Sequence, residues 1–105
     1  MAHPELRTPR WNLRKATKEL LLLEEHLSDP EQRCPECIWK HLLKTEAWLE
    51  EAATLDNQKD YTQLLRELGA QLYQIQTAMK RNDLRLASER SRLMRKRLQP
   101  WAIMP

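Results

Sequence analysis

A chain of 105 residues with 31% charged side chains, a single glycine and no phenylalanine has room for one domain with a modest core. Its two cysteines are too few for the disulfide framework of a small secreted protein. The longest apolar run, Leu20 to Leu23, is far too short to cross a bilayer, and the first residues lack the apolar region of a signal peptide. We therefore expect a cytoplasmic protein without a membrane partner.

The net charge of +3 at pH 7 conceals blocks of opposite sign. Residues 1–18 carry a net charge of +4, residues 19–67 carry −7 and residues 80–97 carry +6. This asymmetry predicts that the basic ends bind acidic partners. Such a partner is nucleic acid, another protein subunit or the acidic middle of the same chain.

Apolar residues spaced three and four apart predict a first helix that ends at the turn formed by residues 28–30. Its apolar stripe consists of Leu13, Ala16, Leu20, Leu23 and Leu27. Residues 1–10 contain Pro4 and Pro9 and are predicted to form an extended N-terminal arm.

The rest of the chain predicts two or three more helices. The second runs from Pro35 to about Leu55, and the third starts at Asp60 as its N-cap. A heptad seam follows, formed by Tyr61, Leu65, Leu68, Leu72, Ile75 and Met79. A break near Asn82 is predicted to separate a fourth helix, which Pro100 ends, from the third; the alternative is one long helix to about Leu98. The prediction is a single all-α domain over residues 1–105, an antiparallel bundle of three to four helices with an apolar tail at residues 99–105.

The segment from His26 to His41 contains both cysteines and two of the three histidines. Pro35 favours the first position of a helix, so Cys34 is its N-cap, and Cys37 and His41 follow on one face. His26 comes from the end of the first helix. Two thiolates and two imidazoles match the ligand set of structural zinc, so the sequence predicts Zn²⁺ at the corner between helices 1 and 2, bound by His26, Cys34, Cys37 and His41. Four protein ligands leave no open position for a substrate, which favours a non-enzymatic protein.

Other interpretations of the same residues stay open. Cys34 and Cys37 form the Cys-x-x-Cys pattern of thiol redox proteins, although the βαβ context of glutaredoxin-like proteins is missing. Covalent haem attachment requires a histidine directly after the second cysteine, where Ile38 stands. The simplest alternative is two reduced, half-buried thiols and two ordinary histidines.

Two further features predict contacts with partners. An arginine stripe on the last helix could follow phosphates or pair with acidic helix 2, although no aromatic residue interleaves it. Its members are Arg81, Arg85, Arg92, Arg95 and Arg97. Trp11, Trp39 and Trp101 are the candidate residues for docking protein partners.

Residues 34–43 read Cys-Pro-x-Cys-Ile-x-Lys-His-Leu-Leu, and this segment resembles small helical proteins found among bacteriophage and metagenome sequences. The resemblance extends over roughly residues 11–56 and implies a component of a virion or another assembly, without a known activity. The predicted function is thus a zinc-stapled structural or interaction protein whose partners are other subunits, in a homo-oligomer or a large assembly. The alternatives are a nucleic-acid-binding accessory protein and a thiol redox protein.

Overall fold

The computed structural model describes residues 8–29, 31 and 34–103, and these residues form four α-helices and no strand. The helices are α1 (Pro9–Ser28), α2 (Pro35–Leu55), α3 (Thr62–Lys80) and α4 (Leu84–Ile103). The predicted all-α helical bundle is confirmed. The predicted N-terminal arm falls mostly on residues 1–7, outside the described residues, whereas Pro9 and Arg10 already belong to α1.

Side chains cap the first two helices, and the cap of the second is the Cys34 that the sequence predicts. Thr8 precedes α1, and its Oγ1 accepts a hydrogen bond from the Trp11 N–H at 3.1 Å. Cys34 precedes α2, and its Sγ accepts a hydrogen bond from the Cys37 N–H at 3.3 Å. A proline occupies the first turn of each helix, where its missing N–H costs no hydrogen bond.

The start of α3 differs from the prediction, which placed the N-cap at Asp60. The buried Asp56 side chain instead accepts hydrogen bonds from the N–H groups of Asp60 and Tyr61, at 2.9 and 2.8 Å. The Asp56 carboxylate thus accepts the two N–H groups that precede the helix, and α3 begins later than predicted, at Thr62.

The predicted break near Asn82 is confirmed. Asn82 has a left-handed backbone with φ of 57°, and the N–H of Asp83 donates to the carbonyl of Ala78 at 2.9 Å. With the bond from Asn82 N–H to the Met79 carbonyl, this arrangement is a Schellman motif that ends α3. The Asp83 carboxylate then accepts a hydrogen bond from the Leu86 N–H and begins α4.

The prediction that Pro100 ends the last helix is wrong, because α4 continues through Pro100 to Ile103. Proline lacks the N–H that would bond to the carbonyl four residues earlier, and its ring crowds that carbonyl. Trp101 gains a compensating contact, since its ring packs edge-on against Tyr61 with centroids 5.4 Å apart and lies against the core. Part of the predicted C-terminal tail is thus helical.

The four helices pack antiparallel around one core, with α1 most extensively in contact with its neighbours α2 and α4. The contact between α2 and α3 is the least extensive of the four. All five predicted residues of the α1 stripe are buried, as are Leu68, Leu72, Ile75 and Met79 of the α3 seam. The Cα radius of gyration is 13.9 Å, close to the roughly 13 Å of a packed domain of this length. None of the helices within the described residues is long and apolar enough to span a membrane.

Candidate functional site

The two cysteines form a hydrogen-bonded pair at the start of α2. Cys34 accepts a hydrogen bond from the Cys37 thiol, and this bond, together with the one from the Cys37 N–H, lowers the pKa of Cys34 below its ordinary value. The same thiol bond raises the pKa of Cys37, because Cys37 needs its proton in order to donate. Cys34 is thus the cysteine that ionises more readily, whereas Cys37 retains its proton to higher pH. Both residues are partly accessible.

The two histidines meet across the interface between α1 and α2. The His26 and His41 rings stack with centroids 5.1 Å apart and an interplanar angle of 28°. His26 lies in the last turn of α1, and His41 lies one turn after Cys37 on α2. The fold therefore brings together the two imidazoles that the sequence places 15 residues apart.

A carboxylate that sequence analysis did not single out orients one of these imidazoles. Glu19 Oε1 of α1 lies 2.7 Å from His41 Nδ1, and both side chains are mostly buried. An ionised carboxylate only accepts hydrogen bonds, so Nδ1 carries the proton, and in the neutral imidazole it is Nε2 of His41 that has the lone pair. A metal-binding histidine usually donates its other ring N–H to a carboxylate in this way, which orients the ring.

The structure contains two donor pairs rather than one assembled tetrahedral set. Within the described residues, no three histidine, cysteine, aspartate or glutamate side chains are arranged to hold a metal ion. All four predicted ligands nevertheless belong to the same corner of the bundle, on the last turn of α1 and the first turns of α2. Their chemistry fits Zn²⁺, whereas the structure holds the thiols and the imidazoles as separate pairs.

Comparison of the chain with family models, with curated proteins and with solved structures found no match.

The predicted arginine stripe is divided among several environments. Arg95 Nε donates to Glu24 of α1, and Arg97 Nη2 donates to Glu67 of α3 at 2.8 Å. The arginines thus pair with α1 and α3 rather than with acidic α2. The other three, Arg81, Arg85 and Arg92, are exposed.

The three candidate docking tryptophans all contact their own chain. Trp11 packs edge-on against Trp48 of α2, with ring centroids 5.5 Å apart. Trp39 and Trp101 are partly buried against the core. Each ring remains partly accessible, and each helps to hold neighbouring helices together.

The buried Asn12 is a second polar contact between α1 and α2 that sequence analysis did not single out. Its Nδ2 donates to the Trp48 carbonyl at 3.1 Å and to Glu51 Oε2 at 2.7 Å. Asn12 lies seven residues before Glu19, and Glu19 lies seven before His26. This heptad spacing on one face of α1 was the signal that could have identified the face meeting α2.

Proposed function

We propose that the protein is a non-enzymatic interaction protein of a larger assembly, and that a structural Zn²⁺ staples its α1–α2 corner through His26, Cys34, Cys37 and His41. The observation that carries the proposal is the bond from His41 Nδ1–H to Glu19, because it prepares Nε2 as a metal ligand. Binding draws the imidazole pair and the thiol pair together by rotation of their side chains. With all four positions filled by protein, the ion stabilises the fold and has no site for a substrate.

The staple is well placed to hold α1 and α2 together. α1 supplies His26, and the start of α2 supplies the other three ligands, namely its N-cap Cys34 with Cys37 and His41. Because an assembled ligand set is lost on unfolding, the binding free energy adds to the free energy of folding. A rigid corner in turn fixes the exposed apolar side chains that are available to neighbouring subunits, such as Leu43 at 56% and Tyr73 at 68% exposure.

Elemental analysis of protein purified without chelator tests the zinc staple directly. We expect one zinc per chain, together with thiols that react with a disulfide reagent only after a chelator is added. Cobalt replacement should produce the absorption of a tetrahedral site with thiolate ligands. His26→Ala and His41→Ala should weaken binding, while His3→Ala provides a matched control because His3 is the remaining histidine of the sequence.

A specific observation favours thiol–disulfide exchange as the second candidate function. The hydrogen bonds that stabilise the Cys34 thiolate give it the character of an attacking thiol, with Cys37 in position to resolve. Cys34 would attack a disulfide substrate and release one thiolate, and Cys37 would then displace the second thiolate from Cys34. The substrate gains two electrons, and Cys34 and Cys37 become a disulfide.

The same preparation separates the two functions. Metal-free protein whose cysteines form a reversible disulfide in a glutathione redox buffer would overturn the zinc proposal and favour exchange. Bound zinc with thiols that resist oxidation until chelation supports the staple and excludes exchange as the resting function.

A further inference from the structure

The fold joins two basic segments that are far apart in the sequence. α1 and α4 are antiparallel neighbours, so the basic first half of α1 lies beside the basic second half of α4. A groove of about 480 Å³ runs between them. It is lined by Trp11, Arg14, Lys15, Lys18, Leu21 and Arg95, with Thr17 and Gln99.

Every charged side chain that lines this groove is a cation. Arg14 and Lys18 are exposed, and Lys15 Nζ lies over the Trp11 ring at 5.1 Å from its centroid. Arg95 closes the α4 side and is held in place by Glu24. Guanidinium and ammonium groups on both sides of one groove favour an anionic chain that passes between the two helices.

The groove also contains an aromatic residue, although no aromatic residue interleaves the arginines of α4 in the sequence. Trp11 belongs to α1, yet it lines the same groove as Arg95 and Gln99 of α4. An aromatic ring among cations is the combination used for single-stranded nucleic acid, because bases stack on the ring while phosphates meet the cations. The ten helical steps from Trp11 to Leu21 span about 15 Å, enough for roughly four nucleotides at the phosphate spacing of a stacked strand.

The adjoining part of the α1–α4 interface shows why binding is confined to this groove. There a second groove of about 750 Å³ is lined by Arg85 and Arg92, but also by Glu24, Glu25 and Glu89. The three carboxylates repel phosphate, so a strand bound in the first groove gains little by extending along this second groove.

We propose that the groove formed by Trp11, Arg14, Lys15, Lys18 and Arg95 binds single-stranded nucleic acid through its phosphates, with Trp11 as a stacking platform. This binding site is independent of the zinc staple at the other end of α1. The overall basic character of the chain, with a pI near 9.1, is consistent with such a partner.

Fluorescence anisotropy with a labelled oligothymidylate of roughly 16 nucleotides tests the proposal over 50 to 200 mM salt. The test variant reverses two exposed groove cations, Arg14→Glu with Lys18→Glu. The matched control reverses two exposed lysines of α2, Lys40→Glu with Lys44→Glu, and changes the net charge equally. Losing two phosphate contacts should reduce the salt slope by about 1.4, so the same rise in salt weakens wild-type binding about sevenfold more than variant binding. Circular dichroism confirms that each variant is folded.

Three results would overturn the proposal. Equal losses in the groove variant and the α2 control would mean attraction by net charge alone. A larger loss on reversing Arg85 and Arg92 would assign binding to the arginine stripe instead. Failure to bind the oligothymidylate at 50 mM salt would remove nucleic acid as the ligand, and binding of polyglutamate in its place would identify an acidic protein partner.

Discussion

The Glu19 carboxylate on α1 and the His41 imidazole on α2 are joined by a 2.7 Å hydrogen bond between two mostly buried side chains. The bond connects the helices at the corner that contains the four candidate zinc ligands. It also determines which ring nitrogen of His41 is available to a metal.

Replacing Glu19 with alanine should therefore lower zinc affinity by roughly 10- to 100-fold, the usual effect of losing a carboxylate that hydrogen-bonds a metal-binding histidine. Competition with a chromophoric chelator measures this change. Glu24→Ala is a matched control, because Glu24 lies on the same helix and is about as buried, at 15% against 16% exposure, but bonds to Arg95. Equal affinities for the Glu19→Ala and Glu24→Ala proteins would show that Glu19 does not orient a ligand.

In metal-free protein, the two thiols should differ in reactivity near neutral pH. The hydrogen bond from the Cys37 thiol lowers the pKa of Cys34, so Cys34 stays a thiolate at lower pH and should be alkylated first. The pKa of Cys37 is raised, so its alkylation should begin at higher pH. Peptide mapping after iodoacetamide treatment across a pH series measures both profiles.

Cys37→Ala is the informative variant for this pair. It removes the donated thiol proton, so the pKa of Cys34 should rise toward its ordinary value, and alkylation of Cys34 should require higher pH. The reciprocal variant, Cys34→Ala, should bring the raised pKa of Cys37 down. Unchanged profiles in both variants would contradict the hydrogen bond between the thiols.

The sequence was informative wherever a local pattern determines structure. The apolar stripe of α1 and the Cys34–Pro35 start of α2 are local signals, and the structure confirms both. Pro100 was misleading, because α4 continues past it and the next residue, Trp101, packs against Tyr61. That contact joins residues 40 positions apart, so no local pattern reveals it.

The candidate sites likewise differ in whether a local sequence pattern identifies them. The ligand residues could be selected from their chemistry and spacing, and the heptad relation of Glu19 to His26 could have led to the Glu19–His41 bond. The basic groove could not be found in this way. It depends on α1 being the neighbour of α4, which is a property of the packing order.

The buried Asn12 should contribute measurably to stability. Asn12→Ala removes hydrogen bonds to the Trp48 carbonyl and to Glu51, and should lower the free energy of unfolding by about 1–3 kcal/mol. Urea denaturation followed by circular dichroism measures this change. The control is Asn57→Ala in the exposed turn after α2, expected to lie within about 0.5 kcal/mol of wild type. Similar values for the two variants would mean that the Asn12 bonds add nothing net to stability.

The left-handed backbone of Asn82 provides a test of the break between α3 and α4. At a φ of 57° a Cβ atom is strained, and asparagine tolerates the strain better than alanine does. Asn82→Ala should therefore lower the free energy of unfolding by about 1 kcal/mol, whereas Asn82→Gly retains the conformation without a Cβ and should be close to neutral. Urea denaturation of both proteins distinguishes the cases. If alanine proved as stable as glycine, residue 82 would not be left-handed, and one continuous helix through α3 and α4 would replace the Schellman motif.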